Sequence, residues 1–142
     1  MSLSNTVRKQ LLDAFFGGET LSPPASVFVG LSSSAPTKTG GNVTEPSTGG
    51  YTRIEVVNTG GSQQWVAATE ADPSVKENAA EITFPQSTGA WLSGDPLTHF
   101  TIYSAASGGN YIAGGELNTA RSVDAEGITL RFEAGELKIE AE

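Results

Sequence analysis

The chain has 142 residues, the length of one compact domain, and it combines 17 glycines and 7 prolines with only 17% charged residues. This composition is typical of short strands joined by many turns. The formal net charge of -8 repels phosphate backbones and anionic bilayers, so we expect no nucleic-acid partner and no membrane partner. The absence of cysteine excludes disulfides, thiolate zinc sites and cysteine nucleophiles.

The start of the chain predicts a helix and shows no export signal. Residues 1–4 lack the basic start of a signal peptide, and no apolar run approaches the ~18 residues of a membrane span. We therefore expect a soluble protein that is not exported by a standard signal. A helix is predicted over residues 4–17, with Ser4 or Asn5 as its cap and Gly17 and Gly18 at its end.

One side of this helix is apolar. A helix of this length is marginal alone in water, so its apolar side must pack against the rest of the chain or against a neighbouring subunit. Packing on its own domain is the simpler of these alternatives. The five apolar residues, which we predict to form an oligomer or attachment interface, are Val7, Leu11, Leu12, Phe15 and Phe16.

The next segments predict two strands around a long loop. Residues 26–32 are rich in β-branched and aromatic side chains and predict a short buried strand. Residues 33–50 predict a long polar loop, and loops of this length often contact partners, although simple connection is the more ordinary role. Residues 51–57 alternate, which predicts a strand whose odd-numbered residues face solvent and whose even-numbered residues are buried.

Short elements follow in the middle of the chain. Gly60 and Gly61 predict a turn, residues 64–67 another short strand, and Asp72 the start of a loop or a single helical turn. A strand is predicted over residues 80–84, and residues 86–96 predict a turn-rich connection.

The last third predicts two hairpins. In the first, Phe100 and Ile102 form an apolar face, while His99, Thr101 and Tyr103 present polar groups on the other face. Residues 107–110 supply its turn, and the glycine pair at 114–115 predicts a bulge or a close approach of the backbone. Residues 128–132 and 137–139 predict a closing hairpin.

These elements together predict the fold class. About eight short strands with turn signals roughly every ten residues are typical of an all-β antiparallel β-sandwich, with a jelly roll as one alternative. We expect a single domain over residues 1–142, which carries one N-terminal amphipathic helix.

No pattern in the sequence predicts a catalytic site, a metal site or a cofactor. His99, the only histidine, lies in the middle of a predicted strand, and no serine has the Gly-x-Ser-x-Gly context of a nucleophile. Asp72 with Glu77, or Asp124 with Glu126, could contribute to a calcium site, but solvated turn residues are the simpler interpretation. We expect no enzyme activity and interpret His99 as part of the scaffold.

Aromatic side chains are the remaining candidates for ligand contact. Flat aromatic faces can contact sugars, whereas packing in a core or a subunit interface is their more ordinary use in a small β domain. The candidates are Tyr51, Trp65, Trp91 and Tyr111.

An ordered series of short motifs resembles a known family. The motifs include VFVGLSSSAP at 27–36, NAAEITFP at 78–85, THFTIY at 98–103 and FEAGEL at 132–137. Together they are similar to a family of small proteins from tailed bacteriophages and prophages, known as phage tail fibre or tail proteins. The match runs over nearly the whole chain.

The resemblance implies a non-enzymatic virion component, made in the host bacterial cytoplasm. It leaves tail fibre, tail accessory protein and capsid decoration protein open. We expect a homo-oligomer, with a trimer favoured, which attaches to other virion structural proteins. Recognition of a host surface polysaccharide is an alternative that can coexist with this role, and a polysaccharide-degrading enzyme is the least favoured interpretation.

Overall fold

The computed structural model describes residues 3–58 and 65–141. Within these ranges it has one α-helix, one short 3-10 helix at Leu92–Gly94 and eight strands. All strand pairs are antiparallel, so the predicted all-β sandwich with an N-terminal helix is confirmed. The elements are α1 Asn5–Gly17, β1 Ser26–Ser32, β2 Ile54–Val57, β3 Ser74–Glu77, β4 Ile82–Thr83, β5 Leu97–Tyr103, β6 Tyr111–Arg121, β7 Arg131–Phe132 and β8 Lys138–Ala141.

The main sheet has four strands in the order β2-β1-β5-β6. Strand β1 pairs with β2 on one side and with β5 on the other, and Val29 lies opposite both Ile54 and Ile102. From Val29 to Ser32 all residues of β1 are buried, although successive side chains point to opposite faces, so this part of the strand is covered on both faces. The bounds predicted for this strand are confirmed.

The predicted hairpin at 98–117 is confirmed as the pair of β5 and β6. Of the two roles predicted for its glycine pair, Gly115 shows the close approach, because a Cβ atom there would lie 2.7 Å from the Phe100 ring. The prediction of a polar outer face is wrong at Thr101. This residue is fully buried, and its hydroxyl has no hydrogen-bond partner among the described residues.

The predicted closing hairpin is wrong. Strand β7 pairs with β4 and strand β8 pairs with β3, so segments 74–83 and 131–141 form one antiparallel ribbon with an interruption. Strand β3 lies where we expected a loop or a helical turn. The interruption is held by Asn78, whose amide donates to the carbonyls of Ala80 and Glu133 and accepts from the Leu137 amide.

Two predictions in the middle of the chain also need correction. The strand predicted at 51–57 begins only at Ile54, and Tyr51 and Arg53 point inward while Thr52 is exposed. Their side chains turn inward because they take part in a buried hydrogen-bond network described below. At the strand predicted for 64–67, Trp65 makes a single bridge to Asn78. Gln64 and the turn predicted at Gly60 and Gly61 lie outside the described residues.

The hydrophobic core connects the main sheet to the two smaller sheets. Strands β1, β4, β5, β6 and β7 all contribute buried apolar residues to one cluster. At one end of it the indole of Trp91, which is fully buried, meets the rings of Tyr51 and Phe84 edge-on at centroid distances of 5.1 and 6.4 Å. Phe84 in turn meets Phe132 at 5.9 Å. This aromatic group fixes the connections at 45–51 and 86–96 against the sandwich.

Candidate functional site

Helix α1 is attached to the sandwich at its beginning. The Ser4 amide donates to the Ile112 carbonyl at 2.9 Å, and the Asn5 amide donates to the Lys38 carbonyl at 2.9 Å. The Ser4 hydroxyl caps the helix by accepting from the Val7 amide at 3.2 Å. The helix ends at Gly18, whose left-handed conformation (φ 70°) lets its amide bond the Asp13 carbonyl. The first turn of the helix is therefore held in a fixed position relative to the sandwich.

The apolar side of α1 is mostly uncovered. No residue of the helix is buried, and the exposed fractions are 59% for Leu12, 77% for Phe15 and 86% for Phe16. Val7 and Leu11 are half-buried and line the groove described next. Packing on the chain's own domain, the simpler alternative at the level of sequence, is therefore wrong for the last turn of the helix. The five predicted residues thus form two groups. Val7 and Leu11 are the inner pair, and Leu12, Phe15 and Phe16 are the exposed trio.

A groove of about 420 Å³ lies between α1 and the main sheet. Its walls are largely apolar and come from the helix, from the linker after it and from β1 and β6. A second cavity of about 350 Å³ shares part of these walls and extends toward Trp65. The apolar residues of its walls include Val7, Leu11, Leu21, Pro23, Val27 and Ile112, and its polar residues include Asn58, Ser104 and Asn110.

The sequence patterns do not predict this groove, because its walls come from three separate parts of the sequence, at residues 6–27, 58 and 104–112. The only local signal is the linker, in which Leu21 is followed by Ser22 and a Pro23–Pro24 pair. Prolines cannot continue the helix, so the chain extends before it enters β1. This extended linker forms the side of the groove that neither the helix nor the sheet supplies.

A buried polar network joins the long loop at 33–50 to the turn between β5 and β6. Arg53 makes a two-pronged ion pair with Glu45, with Nε to Oε2 and Nη2 to Oε1 distances of 2.9 Å. The same guanidinium donates to the carbonyls of Ala105 and Gly108 and lies 3.8 Å over the Tyr103 ring. Because only 8% of the Arg53 side chain is exposed, this pair is shielded from solvent.

The tyrosine in this network is held in its neutral form. Burial, followed by the charge of Glu45, raises the pKa of Tyr51 far above its usual range. Its hydroxyl donates to Glu45 Oε2 at 2.8 Å and accepts from the Leu31 amide at 2.9 Å. Burial lowers the pKa of Arg53, but its hydrogen bond and charge interaction with Glu45 outweigh this, and the net pKa is raised.

A glycine on β1 makes room for the network. A Cβ atom at Gly30 would lie 2.5 Å from Glu45 Oε2, 2.7 Å from the Thr101 hydroxyl and 2.9 Å from the Tyr51 hydroxyl. Any larger residue at this position would displace the carboxylate from the sheet. The network fills its own space, and we interpret it as structural.

The four aromatic candidates for sugar contact lie in different environments. Trp91 is fully buried and donates its indole N–H to the Gly49 carbonyl, and Trp65 is 8% exposed and donates to Asn58. Tyr51 lies in the buried network. Tyr111 is half-buried at the groove and meets Tyr103 edge-on at 5.6 Å. The structure does not bring the four together, and sugar contact stays a prediction.

The environment of Tyr111 shows how closed its position is. Burial, followed by the neighbouring Tyr103, raises the pKa of Tyr111 to about 12. Its hydroxyl therefore stays protonated at neutral pH and can serve only as a neutral hydrogen-bonding group.

The residues considered for chemistry do not form a cluster in the described part of the chain. His99 is half-buried, and its Nδ1 lies 2.8 Å from the hydroxyl of the preceding Thr98. Over residues 3–58 and 65–141, no three histidine, aspartate or glutamate residues are placed to hold a metal ion. In the same ranges no helix is long and apolar enough to cross a bilayer.

Comparison with known proteins gives one family. The family model described as podophage GP4 fiber I protein gp80 matches residues 2–140. None of the curated proteins matches the chain. The resemblance to phage tail fibre proteins inferred from the short motifs is thus confirmed. Because the match spans nearly the whole sequence, the chain belongs to this family of podophage fibre proteins and has a structural role in a phage virion.

Proposed function

We propose that this chain is a non-enzymatic fibre subunit that assembles with copies of itself through the exposed end of α1. The assembled copies then attach to another virion protein. The observation that carries the proposal is the exposure of Leu12, Phe15 and Phe16 on a helix whose start is fixed to the sandwich. A structural role in the virion, which family membership gives, supports the absence of a catalytic step.

The energetics of self-association support the proposal. Covering a large apolar side chain stabilises a complex by roughly 1.5–3 kcal/mol, and each copy presents three such side chains on one turn of helix. Association costs several kcal/mol in lost freedom of motion, so a single pairwise contact of this size is weak. A closed ring gives every copy two contacts, which favours cyclic symmetry. We propose a trimer.

Mutation of the exposed trio tests this function. The variant Phe15→Asp with Phe16→Asp places two charges on the proposed contact, and we expect its mass by light scattering to fall to that of one chain. The matched control is Asn118→Asp with Thr119→Asp, which adds the same charge at exposed positions of β6. Circular dichroism should show that both variants keep the wild-type fold. A wild-type protein that is already a single chain would contradict the proposal.

Attachment to the virion is measured separately. We expect particles assembled with the Phe15→Asp and Phe16→Asp variant to carry less of the protein than particles assembled with the control. Antibody-labelled electron microscopy of wild-type particles should place the label on the tail. A label spread over the head would contradict a fibre and indicate capsid decoration, and equal incorporation of variant and control would exclude α1 as the contact.

A further inference from the structure

We propose that the groove between α1 and the main sheet receives Phe15 and Phe16 of a neighbouring copy, so that copies join head to tail. This inference rests on the proposed self-association and adds the receiving site, which is formed by a different surface from the one that is inserted. Each copy would then donate one helix end and accept another.

The groove has the size and chemistry of a site for aromatic side chains. At about 420 Å³ it falls within the range of pockets that bind small apolar ligands. Leu11, Leu21, Val27 and Ile112 make its walls apolar. Polar groups lie among them at Asn58, Ser104 and Asn110.

A chain does not fill this groove with its own Phe15 and Phe16, which are 77% and 86% exposed and do not line it. Leu11 is part of the groove wall, and Phe15 follows it by one turn on the same helix, about 6 Å further along the axis. The helix continues without a break to Gly17 and ends at the left-handed Gly18. Phe15 and Phe16 therefore lie beyond the groove wall of their own chain and remain available to a neighbouring copy.

The same geometry accounts for cyclic assembly. Contacts between two different surfaces are heterologous, and they produce a closed ring when the rotation between copies closes. Every groove in such a ring is filled and no Phe15 or Phe16 remains in solvent. A contact between identical α1 ends would instead leave every groove unfilled.

Complementary variants distinguish the two kinds of contact. The inserted-end variant carries Phe15→Asp and Phe16→Asp and keeps its groove. The groove variant carries Leu21→Asp and Asn110→Trp, both at exposed positions of the groove, and keeps its helix end. We expect each variant alone to have the mass of one chain. An equal mixture should form a 1:1 heterodimer with twice that mass at protein concentrations high enough to populate a single weak contact.

The outcomes separate this inference from the proposed function. If wild-type chains assemble but the mixture has the mass of one chain even at protein concentrations that populate a single weak contact, the head-to-tail contact is overturned and self-association stands. If wild-type chains do not assemble, both fail. A groove variant that assembles like wild type would also overturn the inference.

Disulfide trapping gives a second measurement that does not depend on affinity. The chain has no cysteine, so Phe16→Cys and Leu21→Cys can be introduced in separate chains and mixed under oxidising conditions. We expect a cross-linked heterodimer in the mixture and little cross-linking in either variant alone. Efficient cross-linking of Phe16→Cys with itself would indicate a contact between identical helix ends and contradict the inference.

Discussion

Helix α1 and strand β1 are both apolar segments, yet the fold treats them differently. Four residues in succession at the end of β1 are buried, whereas α1 has no buried residue at all. Every residue of β1 is paired, with β2 from Ser26 to Val29 and with β5 from Phe28 to Ser32, while α1 is attached to the sandwich mainly at its first turn. An apolar pattern thus predicts that a surface will be covered, but it does not say whether the cover is the same chain or another one.

Mutations in the buried core should reduce the free energy of unfolding much more than mutations on the exposed side of α1, and the largest effect is expected in the aromatic core. Replacing Trp91 by Ala removes a fully buried ring and its hydrogen bond to Gly49, so we expect a loss of about 4 kcal/mol in the free energy of unfolding. The matched control is Phe16→Ala on α1, which removes a ring that is 86% exposed and should cost less than about 0.5 kcal/mol.

Urea denaturation at low protein concentration, where copies are separated, checks both values. A similar loss in the two variants would contradict the contrast between core and helix.

A smaller effect is expected from the polar centre of the ribbon. Asn78→Ala leaves the carbonyls of Ala80 and Glu133 and the amide of Leu137 without their partner, at a cost of about 3 kcal/mol. Asn118→Ala, at an exposed position of β6, is the control and should be nearly neutral. Urea denaturation measures the difference. If both variants unfold at the same urea concentration, the interruption of the ribbon does not depend on Asn78.

The smallest effect concerns the attachment of α1. Ser4→Ala removes the cap on the Val7 amide, which should destabilise the helix by about 1 kcal/mol, roughly a fivefold change in its opening equilibrium. Hydrogen exchange of the α1 amides measures this opening directly, and Ser4→Thr, which keeps the capping oxygen, is the control. An unchanged rate of amide exchange in Ser4→Ala would show that the backbone hydrogen bonds of Ser4 and Asn5 are enough to hold the start of the helix.

Local patterns predicted the elements whose partners are close in sequence. The cap and glycine end of α1, the bounds of β1 and the pairing of β5 with β6 all follow from features within about twenty residues of one another. The closing hairpin was wrong because β7 and β8 pair with distant segments. Nothing local marks Asn78 as the residue that holds this arrangement, because an isolated asparagine is equally typical of a turn.

The same limit applies to the inward residues near β2. Alternation predicted that Arg53 faces solvent, which is the ordinary position for a charged side chain. Its burial depends on Glu45 from the preceding loop and on the carbonyls of Ala105 and Gly108, which lie more than fifty positions away. The alternation of side chains along a strand cannot predict hydrogen-bond partners that are so distant in sequence.

For the candidate site, the sequence indicated the exposed side of the helix but not the groove. The spacing of Leu12, Phe15 and Phe16 marks an apolar helix side, and the structure leaves those residues exposed. The groove requires the linker at Leu21 and strand β6 at Ile112 to lie beside the helix. Only the fold brings these together.

The requirement for glycine at position 30 constrains how the sequences of related proteins can vary. Since a methyl group there would meet the Glu45 carboxylate and two hydroxyls, an alanine at this position requires these groups to shift, which disturbs the ion pair of Glu45 with Arg53. These three positions should therefore covary across the family, and a relative that changes one of them alone should have lost the connection between its long loop and its β5–β6 turn.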